Sequence, residues 1–482
     1  MAEIVINNFQ QGQASSPYAT DGAYAKAVNL DVWGQPGIAR INYLPINDTS
    51  SNNVFSSFAR VTTTSSEVYA AAGSGLYYSA DKGTSWTAMG GTGNRIAIWK
   101  DYLFATLGTD IDVYGPLSSS ASFTVNWKTD LQDNLDHFLF PSKNDGKLYI
   151  TNGRYIASVS ENAGQNFVPG TSASYTYTKQ HLTIPEEYQS RCLEEQRENL
   201  LIGTRGGTIS NALANAPIFI WDRGRNEYDY PVTISGGSIS SMKTIGNRTY
   251  VVGGENPNIY LFSEAGLQQI ARFPYDYDNG KELAIGAYGK SSIAAWRDKI
   301  YLGIGSSDGQ YPVGLYALKG NALNLEHGLS TGENGENGVL SIGAVYAFDN
   351  DTLLYGFFDQ KTDAGGVEKI TNANNRYTGY SAYFESLLYR VGTKADPASF
   401  SQIEVQLGRP LQTGEGVRLK YRTDINSSWK TIGTLTHAGM GAVQSFLFPF
   451  GINGVENLQI KCELTTGASS KNTPYLYEIR LR

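Results

Sequence analysis

Residues 67–79 read EVYAAAGSGLYYS: a polar lead, a short run of alternating small and aromatic side chains, a Gly-Ser-Gly turn, and a second such run. Period-two alternation on both sides of a glycine turn is the pattern of an antiparallel hairpin. The phrase recurs at 101–115 (DYLFATLGTDIDVYG), 146–160 (GKLYITNGRYIASVS) and 198–222 (ENLLIGTRGG, later PIFIWD). It returns at 247–263 (NRTYVVGGENPNIYLFS), 298–318 (DKIYLGIGSSDGQYPVGLYAL) and 351–370 (DTLLYGFFDQ, later GGVEKI). The starts lie 34, 45, 52, 49, 51 and 53 residues apart. Each interval has room for about four strands.

Another short apolar segment precedes most copies, as at 96–99, 293–296 and 344–348. Segment, hairpin and return strand make a four-stranded antiparallel blade, and periods of roughly 40–50 residues belong to β-propellers. The expectation is an all-β chain with a seven-bladed propeller over 45–372. Six or eight blades stay open because the first interval is short, and a long β-sandwich with accidental spacing is the competing architecture. From 400 to 482 the alternation is strict: Val417, Leu419 and Tyr421 oppose Arg418, Lys420 and Arg422, and Leu458, Ile460, Cys462 and Leu464 oppose Gln459, Lys461 and Glu463. A C-terminal β-sandwich of six to eight strands is expected over 373–482. Residues 1–44 read as a polar arm whose strand-like piece, 37–43 (GIARINY), is a candidate for completing the last blade and so removing a sheet edge.

The composition fits a packed part. Of 482 residues 17% are charged, against about a quarter in an ordinary domain, while 53 are Gly and 32 are Tyr. The net charge of −7 divides unevenly: 376–482 carries 12 Lys+Arg against 8 Asp+Glu (+4), the remainder 26 against 37 (−11). Such an asymmetry can steer docking between subunits, and a solvated strand face at Arg418, Lys420 and Arg422 accounts for it equally well. Acidity without a basic run argues against nucleic acid as partner. No apolar run reaches the roughly 18 residues of a membrane span. The opening residues lack a basic start and an apolar run, so synthesis in a cytoplasm without a secretory signal is expected. Cys192 and Cys462 stand too far apart for a disulfide framework or a metal spacing.

The sharpest motif is SADKGTSW at 79–86. It resembles the Asp box of sialidases and other propellers at every defining position: Ser79, Asp81, Gly83 and Trp86. A looser copy, SENAGQNF, offers Ser160, Asn162, Gly164 and Phe167. The resemblance implies a structural hairpin between the outer strands of a blade, with no catalytic role. Sialidase chemistry, by the same resemblance, would need three arginines on a carboxylate, a Tyr/Glu nucleophile and an Asp acid/base. Arg60, Arg95 and Arg191 each precede or lie in a candidate inner strand and are weak candidates for ligand binding. The family's Arg-Ile-Pro signature is missing; the nearest pieces are Arg40-Ile41-Asn42 and Arg95-Ile96-Ala97. No catalytic set can be assembled from spacing.

Asp276, Asp278, Gly280 and Glu282 loosely resemble a calcium loop, but the run is shorter than the full pattern and reads better as a polar turn. His137, His181, His327 and His437 share no zinc or triad spacing. No metal or cofactor is expected. Paired tyrosines at 175/177, 228/230 and 275/277, with a group at 377, 380 and 383, suit blade packing, subunit contacts or sugar stacking.

Two terminal stretches carry a wider resemblance. INNFQQGQASSPYATDGAYAKAVNLDVWGQPGIARINY at the start is similar to the opening of virion and tail-associated proteins of tailed bacteriophages. The closing pieces SAYFESLLYRVGTKADPASFSQIEVQLGRPL, VRLKYRTD, SSWKTIG, FLFPF, LQIKCELTT and TPYLYEIRLR resemble the C-terminal sandwich of such proteins. The resemblance implies a non-enzymatic virion component, tail- or vertex-associated, assembled in the host cytoplasm and contacting other virion proteins and copies of itself in a symmetric ring. A host-attachment protein holding surface glycan is the alternative, followed by a sialidase-like hydrolase.

Overall fold

The repeated phrase folds as the central hairpin of a four-stranded sheet. In the first sheet, Val68–Ala71 and Leu76–Ser79 are flanked by Ser57–Ala59 and Thr87–Ala88, all antiparallel. The computed structural model describes residues 3–14, 18, 22–51, 54–73, 75–119, 121–132, 137–206, 215–235, 237–253, 258–273, 292–305, 313–329, 340–359, 363–440, 443–467 and 471–482. Apart from two single-turn 3-10 helices and the four-residue helix His437–Met440, the regular structure among these residues is β.

Six further sheets of the same order follow along the chain, beginning with Arg95–Trp99, Leu139–Pro141, Tyr188–Gln196, Ile239–Ile245, Ile293–Trp296 and Leu340–Ala347. The apolar segments that precede the repeated phrase are these first strands. Each contacts the first strand or hairpin of the next sheet, and that of the seventh sheet contacts Ser57–Ala59 of the first, so the sheets stand in a ring, the arrangement of a β-propeller. Inner strands such as Tyr102–Leu107 and Leu148–Asn152 are apolar on both faces because both are covered by neighbours. Val68, Ala70 and Phe58 meet Leu354 and Val367 of the seventh sheet. Phe104, Val113 and Trp127 meet Leu148, Ile150 and Phe167 of the third, and Cys192, Leu201 and Ile218 meet Met242, Val251 and Tyr260 of the fifth.

Side chains also stitch neighbouring sheets through main-chain carbonyls. Trp99 Nε1 donates to Gly146 O (2.7 Å) and Trp296 Nε1 to Asp349 O (2.7 Å), each reaching the first turn of the next sheet. Buried indole N–H groups need such partners.

The seventh sheet takes only three strands from 340–371. Its fourth is Ile46–Ser51, antiparallel to Ala364–Thr371. The expected closing piece, 37–43, does something else: Arg40–Ile41 pairs with Leu30–Asp31 in a small two-stranded sheet. The strand that completes the last sheet is therefore Ile46–Ser51, after the 1–44 arm that was expected to supply it.

The remaining strands form two sheets that share a core with the sixth and seventh. One has the order Ile4–Ile6, Leu476–Leu481, Ala398–Leu407, Ser445–Val455. The other runs on from the sixth sheet through Tyr24–Val28 to Ala382–Ser386, Asn457–Thr465, Gly416–Arg422 and Lys430–Thr436. Ile403, Val405 and Ile479 of one belong to the same core as Phe384, Ile460 and Leu419 of the other. The N-terminal segment thus supplies an edge strand to one of these sheets and a bridging strand to the other.

The outward side chains here are paired. Arg418 and Lys420 share Glu463 (3.3 and 2.6 Å), and Lys461 meets Glu385 at 3.2 Å. Arg422 is buried, donating to Gln459 Oε1 at 2.7 Å. The basic row is a laced strand face, in which the guanidinium of Arg418 also lies 3.8 Å from the Tyr380 ring.

Candidate functional site

The SADKGTSW turn joins the third and fourth strands of the first sheet. Ser79 Oγ accepts from the Gly83 N–H (2.8 Å), and its hydroxyl donates to Asp81 Oδ1 (2.8 Å). Asp81 in turn accepts from the Thr84 and Ser85 N–H groups (3.0 and 2.8 Å) and from Ser85 Oγ (2.6 Å). Desolvation raises the carboxyl's pKa, but the hydrogen bonds from Ser85, Ser79 and Thr84 outweigh it and hold it at about 2. Gly83 sits at φ +80°, with Leu354 of the seventh sheet packed where a Cβ would stand. Trp86 donates to Gly83 O (3.2 Å) and lies against Phe55 and Phe58. The carboxylate is thus fully used by its own turn, which seats the hairpin on the neighbouring sheet. Asp81→Ala is expected to lower stability by about 1 kcal/mol, and Gly83→Ala by somewhat more, because both backbone and Leu354 must shift; urea unfolding of the two variants checks both.

The second turn is built differently. Asn162 Nδ2 donates to Ala173 O (2.8 Å) and Oδ1 accepts from Thr176 Oγ1 (2.7 Å), so the amide ties the turn to the returning strand. Ser160 lies within the third strand, opposite Thr176, and Gly164 takes φ +73°. Phe167 is buried among Trp99, Tyr102, Phe104, Trp127 and Tyr175, at the junction with the second sheet.

Arg60 and Arg95 reach one cavity of about 400 Å³ inside the ring, lined also by Phe58, Ile98, Lys143 and Tyr346. Arg191 is not among its lining; it sits at a bulge in Tyr188–Gln196, the first strand of the fourth sheet. The three arginines are not gathered on one point. Arg95 is buried and donates to Ser56 O. Arg60 donates to Ser65 O through Nε (2.8 Å) and to Phe348 O through Nη1 (2.5 Å), with its guanidinium 3.8 Å from the Phe348 ring. Arg60 therefore clamps the first sheet to the seventh at the ring's seam. Arg60→Ala is expected to cost about 2 kcal/mol, read as a shifted denaturant midpoint.

The histidines lie apart. His137 is held by Thr151 O, His181 by Ser158 Oγ, His327 by Tyr43 O and His437 by Leu411 O. Both cysteines are buried and neither forms a disulfide among the described residues. The Asp276–Glu282 turn lies outside the described residues. No cluster of three metal-ligating side chains occurs among the described residues.

A second depression, of about 240 Å³, opens between the fourth and fifth sheets, at the end that carries the first-to-second and third-to-fourth turns. Tyr230, Val232 and Ile220 line one side, Phe262 and Asn247 the other. Half of the Tyr230 surface, 54%, is exposed. The 228/230 tyrosine pair was the only sequence signal for it; the polar residues come from two distant turns.

No protein-family description and no curated protein matches the sequence. Among solved structures, the chain is similar to the Cps50 (Swd1) β-propeller domain of Myceliophteria thermophila, at 11% identity and a TM-score of 0.43 over 68% of this chain and 98% of that one. It is also similar to the RRP9 WD40 repeats (15%, 0.44, covering 68% and 97%) and to YCF48 from Cyanidioschyzon merolae (9%, 0.41, covering 69% and 99%).

Proposed function

We propose that this chain is a non-enzymatic structural protein of a tailed-bacteriophage virion, a tail or vertex component whose task is to hold neighbours together. In this reading the seven sheets are the blades of a seven-bladed propeller, SADKGTSW is an Asp box, and the two C-terminal sheets are a β-sandwich. The observation that carries the proposal is the shared core. Trp33 and Ile41 of the N-terminal segment, Leu315 and Tyr355 of the ring, and Phe384 and Ile479 of the C-terminal sheets belong to one apolar cluster. A ring locked to an appended pair of sheets this way cannot hinge easily, which suits a rigid building block. Arg60 supports the same reading, since its guanidinium is spent on sheet-to-sheet clamping.

The test is to image the particle by electron cryomicroscopy and fit the chain. Density for it at a symmetric tail or vertex position is the expected result. Its absence from purified particles, or release of sugar from sialylated or bacterial surface glycans by the pure protein, would overturn the assignment.

A further inference from the structure

We infer that the groove between the fourth and fifth sheets is a binding site for one uncharged pyranose ring. Beneath the groove lie the buried Ile220 and Phe262 and the half-buried Val232, and the exposed Tyr230 ring forms a wall on which the C–H face of a sugar can stack. The rim is made of planar amides and hydroxyls. Asn199 and Asn247 both line the groove, and neither side-chain amide makes a hydrogen bond among the described residues. Each amide offers a donor pair and an acceptor, the complement of vicinal hydroxyls.

Charge narrows the class. The one cation of the lining, Arg197, is paired with its one carboxylate, Glu264. The groove thus presents no net charge, and an acidic sugar would find its carboxylate facing Glu264 without a spare cation. Size narrows it further. At about 240 Å³ the space is below that of drug-sized pockets and holds a single ring, with the chain of a longer glycan running out along the open end. Gln196 fixes the geometry: its Nε2 donates to both Asn247 O and Phe262 O (3.1 Å each), pinning the fifth sheet's turns against the fourth sheet.

The site stands independently of the virion assignment, since sugar binding by the isolated chain is read without any particle. The full chain is titrated with glucose, galactose, mannose and N-acetylglucosamine, with glucuronate as the charged comparator, and binding is read by saturation-transfer NMR. At least one neutral sugar is expected to bind with a dissociation constant on the order of 1 mM. Tyr230→Ala should weaken it about tenfold or more and Asn247→Ala measurably, while Tyr230→Phe, which keeps the stacking face, binds as the parent does. Thermal unfolding of all three is expected to match the parent, because Tyr230 is half exposed. Failure of every neutral sugar to bind at up to ~50 mM, unchanged binding in Tyr230→Ala, or glucuronate binding as tightly as glucose would each overturn the site.

Discussion

Replacing Glu326 with alanine is expected to destabilise the fold by about 3–5 kcal/mol. Glu326 is buried on Ala322–Gly328 of the sixth sheet, where it accepts from Lys299 Nζ (2.6 Å) and Tyr301 Oη (2.6 Å). Lys299 also lies 3.7 Å from Asp31 Oδ1, and Asp31 in turn grips Arg40 through Nε and Nη2 (3.0 and 2.8 Å). The network therefore ties the N-terminal segment to the ring. Removing the carboxylate leaves a buried ammonium with one distant partner and a buried phenol with none, and unpaired buried groups dominate such losses. The double variant Lys299→Met, Glu326→Leu should recover part of the stability, since apolar side chains of similar volume replace both charges while the Tyr301 hydroxyl stays unpaired. Guanidinium unfolding of the two singles and the double checks this; a Glu326→Ala cost under about 1 kcal/mol would show that the network does not hold the segment.

Acid should weaken the protein in two successive steps. His327 is buried, its Nδ1 hydrogen-bonded to Tyr43 O at 3.0 Å, and burial, reinforced by the nearby Lys299 and Arg297 charges, lowers its pKa from 6.5 to about 3. The unfolded chain takes up a proton near pH 6.5 that the folded chain refuses until about 3. Stability is therefore complete above 6.5 and falls through that window as pH drops, by up to about 1.4 kcal/mol per unit. Asp31 acts lower. Burial raises its pKa, but Lys299 and Arg40 prevail and hold the carboxylate at about 2 against an ordinary 3.8. Its contribution is present above 3.8 and is lost as pH falls toward 2. Unfolding free energies from denaturant titrations between pH 7.5 and 4 should decline by about 2–3 kcal/mol, and His327→Gln should flatten that decline. A flat profile in the parent would contradict the assignment.

The repeat was legible because a strand buried on both faces, between two neighbouring sheets, must be apolar. Tyr102–Leu107 and Leu148–Asn152 announce themselves for that reason. The ring-closing strand was not legible. Ile46–Ser51 reads INDTSS and sits at the outer edge of the seventh sheet, where Ile46 is nearly half exposed and main-chain pairing does the work. GIARINY drew attention instead because Ile38 and Ile41 are core residues, buried against the C-terminal sheets rather than in the ring. The mixing of both ends of the chain in shared sheets was hidden too, since pairs such as Ile4 with Leu481 leave no local pattern. At the candidate site, sequence found the turn chemistry of Asp81, which is local. It could not find the groove at Tyr230, whose walls meet only after two sheets have packed.

Ile46–Ser51 is synthesised well before its partner Ala364–Thr371, which follows on the order of 320 residues later. At ~5–20 residues per second this strand waits some tens of seconds on the ribosome before the ring can shut. An apolar strand left unpaired for so long would seek other edges. A polar one stays in solution until its sheet arrives, so the composition that conceals Ile46–Ser51 in the sequence also protects the nascent chain.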